Sequence, residues 1–179
     1  MGPRLLFICL FIFSFSYSQK GNLPYIIVLG TIQDAGSPHM GCEKPCCISL
    51  FENPDPNRKV VSLGLVDPLE KKYWLIEASP DFITQCRELK KTSDFEHGKS
   101  PDGIFLTHAH IGHYTGLMYL GKESYNSRVV PVLAMTRMKG FLIKNGPWSQ
   151  LFKLHNIKLN NINDQEEIKL SNNLSITPF

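Results

Sequence analysis

Ile104-Phe105-Leu106-Thr107-His108-Ala109-His110-Ile111-Gly112-His113-Tyr114 is the stretch on which the reading of this chain turns. Pro101-Asp102-Gly103 ahead of it is a turn, and the apolar run Ile104-Phe105-Leu106 reads as a short buried strand leaving that turn. Three of the chain's six histidines then fall within six positions, where the strand ends. Residues two apart in extended backbone share a face, so His108 and His110 are expected to aim at one point. Gly112 permits a sharp bend that brings His113 round to the same point. Neutral imidazole ligates zinc and other divalent ions, and three protein ligands leave a position open for water. His108, His110 and His113 are therefore the candidate metal ligands. A set of solvated loop histidines is the plain alternative, and it accounts poorly for so tight a grouping.

The spacing His-x-His-x-Gly-His resembles the His-x-His-x-Asp-His signature of the metallo-β-lactamase superfamily, with Thr107 ahead and Tyr114-Thr115-Gly116-Leu117 opening a helix behind. The resemblance implies an α/β (α+β sandwich) architecture, the four-layer αββα fold, with a metal site at one edge. It also implies that His108 and His110 hold a first ion and positions 112 and 113 a second. Gly112 has no side chain to offer, so a mononuclear or rearranged site is expected instead of the usual pair. Other segments narrow the resemblance. Leu29-Gly30-Thr31 follows the apolar run Tyr25-Ile26-Ile27-Val28, and Gln33 to Cys42 carries Asp34, Gly36, Pro38, His39 and Gly41. Cys46-Cys47 comes soon after, and Trp74-Leu75-Ile76-Glu77-Ala78-Ser79-Pro80-Asp81-Phe82 reads as a strand stopping at a helix. This order is similar to the pyrroloquinoline-quinone biosynthesis protein B branch, and more distantly to phosphoribosyl cyclic phosphodiesterases. The likeness runs from about Pro24 to Phe179.

Thiolates bind zinc strongly, and three within six positions can surround one ion if a fourth ligand arrives from elsewhere. Cys42, Cys46 and Cys47 are thus candidates for a structural zinc, as related proteins imply, with His39 or a residue beyond Phe179 as the fourth donor. The other reading is one disulfide plus a spare thiol, with Cys86 as a further partner. Adjacent Cys46 and Cys47 bond to each other only with strain. Asp34 and His39 lie in a glycine-bearing loop within reach of the metal edge, where a carboxylate orients a ligating histidine. They serve equally well as turn residues, and Glu77 and Asp81 carry the same ambiguity.

Residues 1–18 read as a secretory signal peptide: Arg4, an apolar run from Leu5 to Phe15, then Ser16-Tyr17-Ser18. The run is shorter than the about 20 residues of a membrane span, and an uncleaved anchor is the alternative. Cleavage leaves a domain of residues 19–179, a secreted or periplasmic location, and no stable membrane insertion. Export favours disulfides over free thiols. With 42% hydrophobic and 20% charged residues, the composition is that of a packed globular domain. The formal charge of +3 is small, and no basic run or basic–aromatic interleaving supports nucleic-acid binding. A small-molecule substrate is expected as the partner, and the oligomeric state is not legible.

Val60–Val66 and Tyr73–Glu77 are expected to form a hairpin-like pair, with a helix from Ser79-Pro80-Asp81 to about Lys90 and Pro80 at its first position. Gly116–Leu120 continues as helix to Gly121. Val129–Ala134 reads as a strand near an edge because of Pro131. Thr136 caps a helix to about Lys144, and Trp148 is expected to anchor a loop in the core, with lining a substrate pocket as the alternative. Ile157–Leu159, Glu167–Leu170 and Leu174–Thr177 read as a meander. Superfamily members carry a second half with another ligand histidine, whereas only His155 follows the cluster here. The expectation is an N-terminal portion of the fold, incomplete at its C-terminus. Functionally, the resemblance implies a metal-dependent hydrolase acting on an ester or phosphodiester through zinc-activated water. The alternatives are an iron-dependent oxidative enzyme of quinone-cofactor biosynthesis type and a non-catalytic binding protein on the same scaffold. Imidazole suits zinc and iron alike.

Overall fold

The histidine-bearing segment hangs from strand β4 (Gly103–Leu106), an inner strand of a six-stranded sheet whose residues are all buried. The computed structural model describes residues 22–96, 98 and 100–179, so the signal-peptide reading lies outside the described residues. The sheet runs in sequence order: β1 (Tyr25–Gly30), β2 (Ser62–Asp67), β3 (Lys72–Ile76), β4, β5 (Val130–Met135) and β6 (Ile157–Ile162). Pairing is antiparallel from β1 to β3 and parallel from β3 to β6. Side chains alternate across a strand, so Ile104 and Leu106 face one core while Phe105 faces another.

The first core is covered by helices α2 (Phe82–Ser93), α4 (Thr136–Lys144) and α5 (Trp148–Lys153), with the 3₁₀ turn Thr115–Leu120. Leu75, Leu89, Ile104, Leu117 and Leu142 are fully buried there. Burial of a side chain of that size contributes roughly 1.5–3 kcal/mol. Trp148 packs edge-on against Tyr114 at 5.0 Å, in the core as expected. On the opposite face, Leu65, Trp74, Phe105 and Ile162 meet Ile168, Leu170, Leu174 and Ile176. Those last residues belong to or flank a two-stranded hairpin of β7 (Ile168–Lys169) and β8 (Ser175–Ile176). Helix, sheet and a facing hairpin thus stack in successive layers.

Several expectations need correction. Pro80 lies before the helix and not in it. The Ser79 hydroxyl accepts the Asp81 N–H at 3.0 Å, the turn closes there, and α2 starts at Phe82. Strand β5 is internal, not an edge: pairing with β4 starts only at Val132, so the missing N–H of Pro131 leaves no gap in that ladder. Strand β6 does not join a meander but pairs in parallel with β5, because α4 and α5 return the chain to the same sheet. The expected cap, Thr136, is instead the first residue of α4, and its hydroxyl donates to Asn161 at 3.1 Å. Gly116–Leu120 winds as a 3₁₀ turn, since Gly116 is pressed against the β3–α2 connection. A Cβ there would lie 2.6 Å from Phe82 Cβ and 2.9 Å from the Ala78 carbonyl oxygen.

Candidate metal centre

Parallel strands β3 and β4 end side by side, and the residues just past those ends build the site. The Glu77 N–H donates to the Phe105 carbonyl at 2.8 Å, which fixes the end of β3 against β4. The Ala78 N–H donates to the His113 carbonyl at 2.9 Å, and the Gly116 N–H returns a bond to the Ala78 carbonyl at 2.8 Å. These bonds staple the short helix α3 (Ile111–Tyr114) to the sheet rim. Gly112 lies inside α3, so it supplies no bend. Glycine is required there by contact: a Cβ would sit 2.5 Å from Asp34 Cα and 2.6 Å from Asp34 Cβ.

His108 lies between the other two histidines, and His110 is the outlying one, exposed and 6.4 Å from His113 by ring centroid. The ring centroid of His108 is 4.4 Å from that of His110 and 4.2 Å from that of His113. One donor atom each from Glu77, His108 and His113 lies within 4.8 Å of the other two. Asp34, on the loop after β1, reaches the same place. Its Oδ1 is 3.1 Å from His113 Nε2 and its Oδ2 is 3.5 Å from His110 Nδ1.

A hydrogen-bond chain sets the tautomer of His108. Glu77 Oε1 accepts the Thr107 N–H at 3.2 Å and also the Thr107 hydroxyl. The hydroxyl proton is used in that bond, so Thr107 Oγ1, 2.8 Å from His108 Nδ1, accepts the imidazole N–H. Nε2 of His108 is left with its lone pair free for a ligand role. Burial, then the fields of His113 and His110, hold the His108 pKa below the ordinary imidazole value, which favours the neutral ring. Burial also raises the Glu77 pKa, against the opposing pull of Thr107 and His113. Burial acts upward on Asp34 too, but the hydrogen bond with His113 and the fields of His113 and His110 bring its pKa below the ordinary carboxylate value.

The donor set fits a divalent cation. Glu77 Oε2 and His113 Nδ1 are buried without a hydrogen-bond partner, and buried polar atoms are seldom left so. Neutral imidazoles together with carboxylates suit zinc, iron or manganese. Beside His108 opens a cavity of about 670 Å³, walled by Thr107, Met135, Met138, Phe141 and Ile162, with Arg137 and Asp164 at its polar side.

Of the two readings of the cysteine cluster, a structural zinc or one disulfide with a spare thiol, the structure shows the disulfide. Cys42 and Cys47 form a disulfide with their Cα atoms 6.0 Å apart, within the ordinary span. Cys46, in helix α1 (Pro45–Glu52), is exposed as a free thiol, and Cys86 is a half-buried one. Two of the three expected thiolates are thereby consumed. His39 is exposed, and its carbonyl accepts the Cys42 N–H at 3.1 Å, so it acts as a turn residue. Asp81 is structural as well, its Oδ2 accepting the Val60 N–H at 2.8 Å.

The family model described as the Beta-lactamase superfamily domain matches residues 72–179, more than half of the chain. This chain belongs to the metallo-β-lactamase superfamily. Zn²⁺-bound PqqB from Methylobacterium extorquens is similar in structure, at a TM-score of 0.64 and 21% identity, over 85% of this chain and 54% of that one. A diphosphatase of the PhnP family is also similar, at a TM-score of 0.56 and 24% identity, over 82% and 53%. This chain thus spans about half the length of these metallo-β-lactamase-fold structures. No curated protein sequence matches it significantly.

Thr107 was not singled out by sequence, and Glu77 was left ambiguous. The available signal was a polar residue at the end of each of two apolar runs. Only the parallel pairing of β3 with β4 brings the two together.

Proposed function

We propose that this protein is an exported metal-dependent hydrolase that acts on an ester or phosphodiester of a small molecule. The observation that carries this reading is the convergence of His108, His113 and the Glu77 carboxylate at the rim where β3 and β4 end, with His110 beside them. His108, His113 and a carboxylate would hold a zinc ion there, and such an ion would supply hydroxide near neutral pH by lowering the pKa of a bound water to roughly 7. Thr107 and Glu77 hold the His108 ring in its ligating tautomer. The apolar face of Met135, Met138 and Phe141 takes the organic part of a substrate, and Arg137 takes an anionic group such as a phosphoryl oxygen. The likeness to a diphosphatase supports phosphoester chemistry, and the likeness to a zinc-bound protein supports zinc. The disulfide Cys42–Cys47 supports an oxidising compartment.

The test is turnover of bis-p-nitrophenyl phosphate and of p-nitrophenyl acetate by protein freed of metal and reloaded with zinc. Zinc-dependent hydrolysis that is lost in His108→Ala and His113→Ala is the expected result. Protein purified with iron and inert toward both esters would point to oxidative chemistry instead, and protein that takes up no metal would leave a binding scaffold.

A further inference from the structure

Position 112, where the superfamily pattern places a metal-binding aspartate, is glycine, and Asp34 from a distant loop is packed into the space that a side chain there would fill. We infer that Asp34 binds the metal directly, supplying from the β1 loop the carboxylate that position 112 lacks. The inference rests on the metal-centre reading above, and it changes the role sequence suggested for Asp34 from orienting a histidine to holding the ion.

Two features of the geometry carry it. The first is the pair of separations from Asp34, 3.1 Å to His113 Nε2 and 3.5 Å to His110 Nδ1. Donors bound tetrahedrally to one zinc at ~2.0–2.2 Å stand roughly 3.3–3.6 Å from one another. One Asp34 oxygen therefore stands from His110 at the distance of a fellow ligand, and the other lies slightly closer to His113, at hydrogen-bond distance. The second is that His113 faces a carboxylate on each side, Asp34 at Nε2 and Glu77 at Nδ1, the latter 3.4 Å away. A neutral imidazole has a single N–H, so one nitrogen must turn a lone pair toward an anion unless a cation lies between them. Glu77 is the buried partner and already accepts from Thr107. Asp34 is the more exposed partner and suits the cation side, where an ion can enter.

Cobalt-substituted Asp34→Cys separates these outcomes. A thiolate bound to Co²⁺ gives a near-ultraviolet charge-transfer band, whereas a thiolate that merely neighbours the ion gives none. The band is expected in Asp34→Cys and absent from the parent and from Gln33→Cys, which serves as control on the same loop. Asp34→Asn keeps the shape and the capacity to hydrogen-bond His113. It is expected to weaken zinc by more than about 100-fold in chelator competition, beyond the roughly 10–100-fold that loss of an orienting partner costs. If the parent holds metal while Asp34→Cys shows no band and Asp34→Asn binds zinc within about 100-fold of the parent, Asp34 is not a ligand and the metal centre stands without it. A parent that takes up no metal overturns both readings together.

Discussion

Replacing Gly112 with Asp, the residue that the superfamily pattern carries there, is expected to damage this protein and not to complete its metal site. The new Cβ would lie 2.5 Å from Asp34 Cα, where ordinary contact begins near 3.4 Å, and it would also press on the Asp34 carbonyl oxygen. The obstruction is backbone, so it cannot be relieved by a rotamer change. The β1 loop must move by about 0.9 Å, and overpacking of this kind costs about 1–3 kcal/mol. For a domain of this size that corresponds to a melting temperature lower by roughly 2–12 °C. The same shift carries Asp34 out of register with imidazoles now 3.1 and 3.5 Å away, so zinc affinity falls as well. Gly112→Ala isolates the steric part and is expected to show a similar loss of stability without adding a carboxylate. The assay is thermal unfolding, with and without zinc, alongside metal stoichiometry. If both variants melt with the parent, or if Gly112→Asp takes up more zinc than the parent, then Asp34 does not need the space and the reasoning fails.

Three other outcomes follow from the same geometry. Burial raises the Glu77 pKa above its ordinary 4.5. The unfolded chain then releases this proton first, and metal-free protein should lose stability as pH rises from about 4.5 toward the folded-state value. Glu77→Gln should flatten that part of a chelated thermal-unfolding pH series while weakening zinc roughly 10–100-fold, and an unchanged pH slope would contradict this. For Asp67, burial acts upward, but hydrogen bonds from Ser171, Asn173 and the Glu70 and Leu69 N–H groups bring the pKa below its ordinary 3.8. Its stabilisation is therefore present above 3.8 and lost as pH falls through the lower folded value. Asp67→Asn should shrink that acid-side loss and speed amide exchange in β7 and β8, because Asn173 donates to Asp67 at 3.1 Å; protection there equal to the parent's would count against the link. In alkylation and peptide mapping, Cys46 should react in the native protein. Cys86, whose thiol burial pushes up to about 12, should react only after unfolding, and Cys42 and Cys47 only after reduction. Joint labelling of Cys42, Cys46 and Cys47 with release of zinc would restore the thiolate site.

Features that depend on a few neighbouring residues were legible in the sequence. The strand Gly103–Leu106, the β2–β3 hairpin and the extent of α4 follow from apolar runs of the right length bounded by turn residues. Pairing order was not legible, because it is decided by which faces the helices bury. Pro131 argued for an edge, yet β5 lies inside the sheet with its proline where the β4 ladder has not begun. The histidines were found because all three lie on one short segment. Their partners were not all recognisable: Asp34 meets His113 across a separation of 79 residues, and Thr107 gains its role only through Glu77 on the adjacent strand. The reason for Gly112 was equally hidden. A bend and a close contact both call for glycine, and only the fold shows that the contact is with Asp34.

The central claim is that three imidazoles share one cation. X-ray absorption on the zinc-loaded chain tests it most directly, read together with the His108→Ala, His110→Ala and His113→Ala variants. The account predicts a first shell of nitrogen and oxygen with imidazole outer-shell scattering, diminished in each variant. Sulfur in that shell, or a spectrum unchanged when the histidines are removed, would contradict it.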